Sequence, residues 1–204
     1  TNLLALVHAD DFPDDLSRAS ETLDRLSPDL AKTYKRYIST LKNNLIRRAE
    51  AAERRNKALE EEVNLVGQRY IDMEYPNVDD VPVRLSAVLD NPANRYVVLD
   101  FWATWCLPCV KSIPMLKEVY AKYHDKGLEI YSISQDSKAK EWKSYVEENG
   151  MNWINVLASS GSKVYKDYGI EFIPRVFLID CQTGEILVHE SQPDLDSILS
   201  DLLP

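Results

Sequence analysis

The chain has 204 residues, enough for one packed domain with an added element or for two small domains. Its formal net charge of −9 repels phosphate backbones and anionic lipid surfaces, which sets nucleic acid aside as a partner. With only 3 cysteines the fold cannot rest on a disulfide framework, so the core must hold by burial and the cysteines are free for chemistry.

From residue 14 to 62 there is no Gly, Pro28 is the only Pro, and charged residues are dense. Ser27-Pro28-Asp29 reads as an N-cap, a first-turn proline and a first-turn acid. Leu30, Tyr34, Ile38, Leu41 and Leu45 follow at spacings of three and four, which predicts one apolar helix face. A shorter helix is expected over 15–26. The polar stretch 47–62 continues the helix as a solvated rod ending near Gly67, with Leu59, Val63 and Val66 restoring an apolar face. Residues 1–64 are therefore read as a helical region.

Near residue 65 the texture changes to alternating strands and helices. Strands are predicted over 81–85, 96–101, 128–134 and 154–157, with 96–101 apolar and β-branched enough for a buried central strand. Helices are predicted over 109–124, 138–149 and 162–168, the last two stopped by Gly150 and Gly169. Strands 175–180 and 185–190 flank Cys181-Gln182-Thr183-Gly184, a hairpin signal that leaves Cys181 as a small turn-flanking residue. A helix over 194–203 closes the chain. This order predicts an α/β domain over 65–204, a mixed sheet with helices on both faces. The longest apolar runs, such as the one from Val97 to Ala103, fall well short of the roughly 20 residues of a membrane span. No leader pattern opens the sequence, and a trimmed leader or anchor ahead of Thr1 is expected.

Cys106-Leu107-Pro108-Cys109 sits between the strongest strand and a helix. Two cysteines three apart on a first helical turn can join and part without unfolding anything. The unpaired N–H groups and dipole at a helix N-terminus favour a thiolate at the first cysteine. That thiolate attacks a disulfide, and the second thiol resolves the mixed disulfide. Cys106 is therefore assigned as nucleophile and Cys109 as the resolving thiol. Pro108 fits the first turn, where its missing N–H costs nothing. The competing reading is a zinc half-site, which needs two further Cys or His ligands; His8, His124, His189 and Cys181 are scattered. A c-type haem site needs His after the second cysteine, where Val110 stands. Neither a metal nor another cofactor is called for.

The run FWATWCLPC from Phe101 resembles the active site of the thioredoxin superfamily. VGQRYIDMEY from Val66, VRLSAVL from Val83, IPRVFLID from Ile173 and TGEI from Thr183 resemble its TlpA/ResA-like (AhpC/TSA-type) branch. The resemblance covers residue 65 to the end. It implies a thioredoxin fold, a mixed central β-sheet flanked by helices, here with an N-terminal helical extension. It also implies a redox-active Cys106–Cys109 disulfide and a buried Asp100 that accepts the proton of the resolving thiol. Pro174, after Ile173, matches the cis-proline that faces the disulfide and exposes backbone to an extended substrate. Trp105, Leu107, Pro108, Ile173 and Arg175 are the expected substrate contacts, and Trp102 is expected in the core. Two positions depart from the pattern. Ser112 stands where many relatives carry Glu, which leaves Asp100 to act alone in proton handling. Arg175 follows the proline where a small residue or Thr is usual; near Cys106 its cation would favour the thiolate, and the alternative is a surface arginine pointing away.

The function expected is that of a thiol–disulfide oxidoreductase that reduces or exchanges disulfides in partner proteins. The alternatives are a thiol peroxidase and a non-catalytic binding module that uses the helical region. Thr104 is offset from the peroxidase pattern and no Pro precedes it. The expected partners are dithiol- or disulfide-containing proteins and an upstream electron donor. The resemblance points to the bacterial periplasm or another extracytoplasmic space, with a membrane anchor outside this sequence; the cytoplasm is the alternative.

Overall fold

The computed structural model describes residues 64–203, together with Thr40, Asn43, Asn44, Ile46, Arg47 and Glu50, all six of them helical. The chain divides into two units, Thr1–Glu61 and Glu62–Pro204. The apolar face begun by Leu30 and Tyr34 and the helix expected over 15–26 lie outside the described residues.

The second unit is organised by β3 (Tyr96–Trp102), whose residues from Val97 onward are all buried. A strand covered on both faces needs apolar side chains in both alternating sets. Val97, Leu99 and Phe101 point to one core and Val98 and Trp102 to the other. Each such side chain contributes about 1.5–3 kcal/mol by burial. The strand β4 (Leu128–Ser134) pairs parallel to β3, and β6 (Arg175–Asp180) pairs antiparallel on the other side. The remaining strands, β5 (Ile154–Leu157) and β7 (Ile186–Glu190), complete the order β5-β4-β3-β6-β7. A separate two-stranded ribbon joins β1 (Glu74–Pro76) to β2 (Pro82–Arg84).

The parallel step from β3 to β4 requires a crossover, and α2 (Leu107–Tyr123) supplies it. It ends in a 3₁₀ turn, His124–Lys126, and Gly127 then turns the chain into β4 with φ 103°. A Cβ there would sit 2.8 Å from Arg95 Cγ, so the position suits only glycine. One face of the sheet carries α2, α3 (Ala139–Glu148) and α5 (Leu195–Leu202), which bury Leu116, Val119, Trp142, Leu195 and Leu199 against Val98, Ile130 and Leu178. The other face carries α1 (Leu85–Leu89) and α4 (Lys163–Asp167), with an aromatic cluster in which Phe101 meets Tyr165, Tyr168 and Phe177.

The elements fall within a residue or two of the predicted ones, with two differences. The expected strand over 81–85 ends at Arg84, and Leu85–Leu89 is a helix. Its Leu85, Val88 and Leu89 are buried, so an apolar pattern too short to show a period resolves as helix through packing. Glu74–Pro76 forms a strand with alternating exposure that its charged and proline residues conceal. Among the described residues no helix is long and apolar enough to cross a membrane.

Candidate active site

The C-terminal end of the central strand runs directly into the cysteine motif. Cys106 is the N-cap of α2, with extended backbone, and Pro108 lies in the first turn. The helix thus starts two residues earlier than its apolar periodicity suggests, because the cap residue and the proline contribute no period. Cys106 and Cys109 are joined in a disulfide with their Cα atoms 5.3 Å apart. The Cys106 Sγ also accepts the backbone N–H of Cys109 at 3.3 Å. A helical N–H aimed at that sulfur stabilises negative charge on it once the disulfide opens. Both cysteines are buried, but the flanking Trp105 and Leu107 are 65% and 63% exposed. An apolar rim therefore surrounds a recessed sulfur.

The Ile173–Pro174 peptide bond is cis, and the Ile173 carbonyl oxygen lies 3.7 Å from Cys106 Sγ. The motif of α2 and the turn before β6 are distant in sequence, and the β3–β6 pairing brings them together.

Asp100 is 4% exposed and lies on β3 in the same alternating set as Val98 and Trp102. Those two residues share a core with Cys106 and Cys109, so the carboxyl is on the cysteine side of the sheet. Burial pushes its pKa up to about 7, opposed by a hydrogen bond that Ser132 Oγ donates to Oδ2 at 3.0 Å. A carboxyl in this range can exchange a proton near neutral pH. It lines a cavity of about 190 Å³ with Lys111, Ser112 and Ser191 among the walls.

Residues 94–186 match the family model described as thioredoxin-like. The unit carrying the site has the thioredoxin fold. The chain is similar to the thiol-disulfide oxidoreductase ResA of Bacillus thuringiensis, with 33% identity over 111 residues. That match takes in 53% of this chain and 64% of the relative, so the chain spans just under two thirds of the curated relative it resembles. Among solved structures, the thioredoxin domain of a thiol-disulfide oxidoreductase from Bacteroides vulgatus aligns with a TM-score of 0.61 at 27% identity. The alignment covers 70% of this chain and all of that one. A thiol:disulfide interchange protein from a Bacteroides species aligns with a TM-score of 0.58, also at 27% identity, over 66% of this chain and 88% of that one.

Arg175 requires a correction. In the thioredoxin-like domain it is not a surface arginine: it is 3% exposed, and Nη1 donates a short hydrogen bond to Ser191 Oγ. As the first residue of β6 it lies opposite Phe101, inside the sheet, and is covered there. Ser112 keeps its hydroxyl on its own helix, bonded to the carbonyls of Pro108 and Cys109. Trp102 is core and Trp105 is surface, while Cys181 is half-buried beside the β6–β7 turn. Its thiol pKa is pushed up to about 12, chiefly by burial, which keeps it a neutral thiol.

Asp136 is a site residue that the sequence does not reveal. It is buried just beyond β4 and accepts the Thr104 N–H at 2.9 Å, the Thr104 hydroxyl at 2.7 Å and the Ser134 hydroxyl at 2.7 Å. These bonds fasten the three-residue approach to Cys106 to the neighbouring strand. An aspartate after a strand has too many ordinary uses to stand out; only the β3–β4 pairing gives it a partner.

Proposed function

We propose that the chain is a thiol–disulfide oxidoreductase that reduces or exchanges disulfides in partner proteins through Cys106 and Cys109. The observation that carries this reading is a disulfide at the start of α2, framed by exposed Trp105 and Leu107 and faced by the Ile173 carbonyl. When the pair is reduced, the Cys106 thiolate attacks one sulfur of a substrate disulfide, forming a mixed disulfide and releasing the other substrate sulfur as a thiolate. Cys109 gives its proton to Asp100 and attacks Cys106 Sγ. That closes the intramolecular disulfide and expels the second substrate thiolate. Trp105, Leu107, Pro108 and Ile173 form the substrate contact, and Pro174 fixes the backbone beside it.

A thiol–disulfide cycle that reduces substrates consumes electrons, so a dithiol donor upstream is part of the proposal. The similarity to ResA supports an extracytoplasmic setting, the bacterial periplasm or its equivalent, with an anchor outside this sequence. The peroxidase alternative loses support because the Thr104 hydroxyl is committed to Asp136 rather than directed at a peroxide.

The test is trapping of the mixed disulfide. With a disulfide-bonded peptide in excess, the reduced Cys109→Ser variant is expected to accumulate a covalent adduct through Cys106. Cys106→Ser is expected to form at least tenfold less. Equal trapping by the two variants, or none by Cys109→Ser, overturns the assignment.

A further inference from the structure

A buried carboxyl needs its oxygens accounted for, and those of Asp100 are treated unequally. Oδ2 accepts the Ser132 hydroxyl at 3.0 Å. Ser132 Oγ in turn accepts the Trp153 indole N–H at 2.9 Å. An indole N–H can only donate, so the serine oxygen accepts at that end and its own hydrogen goes to Asp100. The chain of hydrogen bonds has one possible direction, from Trp153 to Ser132 to Asp100. The backbone enforces it. Asp100 and Ser132 are register partners on adjacent strands, which puts their side chains on one face. Trp153 stands just before β5, is 6% exposed, and packs its ring 5.8 Å from that of Tyr120 on α2. Oδ1 takes no hydrogen bond from the described residues, and Asp100 is a wall of the cavity beside Lys111, Ser112 and Ser191.

We infer that Ser132, held by Trp153, is a positioning residue for proton transfer at the dithiol: it ties Oδ2 and leaves Oδ1 to take the proton and return it through the cavity. This rests on the oxidoreductase reading with Asp100 as base. In the step concerned, the Cys109 S–H bond breaks and an O–H bond forms on Oδ1. The electron pair left on Cys109 sulfur makes the bond to Cys106 Sγ, and the pair of the broken mixed disulfide leaves with the substrate thiolate. A carboxyl free to rotate would present either oxygen; with Oδ2 tied, one geometry serves every turnover. The donated hydroxyl also favours the carboxylate and so opposes the effect of burial. The walls that share this cavity with the carboxyl are Lys111 and Ser112 from α2, Val176 from β6 and Ser191 after β7, and Lys111 is the charged group among them. From α5 the packing residues are the apolar Leu195 and Leu199.

The experiment follows the Asp100 carboxyl by ¹³C NMR titration in the oxidised full chain. Alongside it, the pH dependence of mixed-disulfide resolution is measured in the reduced protein. Ser132→Ala is expected to raise both midpoints by about one pH unit, the worth of one hydrogen bond to a charged acceptor. Trp153→Phe is expected to raise them by less, and Ser132→Thr, which keeps a hydroxyl, to restore them. A merely structural role would lower the melting temperature and leave both midpoints in place. If Asp100→Asn leaves the resolution profile unchanged, Asp100 is not the base and the inference falls with that reading. If Asp100→Asn flattens the profile but Ser132→Ala moves neither midpoint, the base stands and the inference alone is overturned.

Discussion

In the proposed cycle Asp100 is the base, and the burial that raises its pKa also costs stability when it ionises. Its carboxyl titrates at about 7 in the fold against 3.8 ordinarily, because burial penalises the charge. Between those values the native state holds a proton that the unfolded chain has released, so stability falls as pH rises through this window. Above pH 7 the native state carries the full cost of a buried anion. Asp100→Asn removes the charge and keeps an oxygen for the Ser132 hydroxyl. The variant is expected to match the wild type in stability near pH 4, gain on it between pH 4 and 7, and level off about 4 kcal/mol more stable at pH 8. Urea denaturation across that pH range measures this, and a gain independent of pH would show that charge burial is not its source. In the sequence, Asp100 and Pro174 stand out through the resemblance to thioredoxin-like sequences, Asp100 by its place six residues before Cys106 and Pro174 by its flanking Ile173. Ser132 and Trp153 were not. A serine in a strand and a tryptophan before one have no chemical signature until register sets them in line with the carboxyl.

At the level of elements, the cysteine loop owes its position to its neighbour as much as to its own sequence. The strands β3 and β4 end together, Trp102 opposite Ser134, and the turns that leave them are bound through Asp136 and Thr104. Asp136→Ala would strand the Thr104 N–H and hydroxyl next to a buried strand end. It is expected to cost about 1–3 kcal/mol in urea denaturation and to speed amide exchange over residues 104–106 ahead of the rest of β3. Asp136→Asn keeps one acceptor and is expected to lose less; equal loss in the two variants would point to packing rather than hydrogen bonding. The long elements of this region were readable because burial on one or two faces imposes a period. Two short ones were not: the five residues at Leu85–Leu89 and the three at Glu74–Pro76 are too few to show it. The β6–β7 turn was readable from chemistry instead: Asp180 Oδ1 accepts the N–H groups of Gln182 and Thr183, and Gly184 takes φ 73°.

Across the whole molecule, the change of texture near residue 65 in the sequence stands close to the division between the units at residue 62. Every strand pairing of the central sheet joins residues of 96–190, and among the described residues both cores are built from residues 65–203. The segment after Leu65 is itself part of this unit, since Gly67 and Tyr70 bond to the carbonyls of Ile186 and Gly184 and pair with the chain at the start of β7. A solved thioredoxin domain is matched over its full length by 70% of this chain, so a domain of this extent is a complete unit of packing. A fragment of residues 62–204 is therefore expected to unfold in one cooperative transition. Its Cys106–Cys109 pair should equilibrate with glutathione within about threefold of the full chain, since the N–H, carbonyl and carboxyl groups around the sulfurs all lie inside it. A fragment cut at residue 72 would lose the segment bonded at the start of β7 and should unfold at lower urea. If the 62–204 fragment fails to fold while the full chain does, residues 1–61 are needed for the domain to fold. The redox equilibrium would then have to be understood with that region in place.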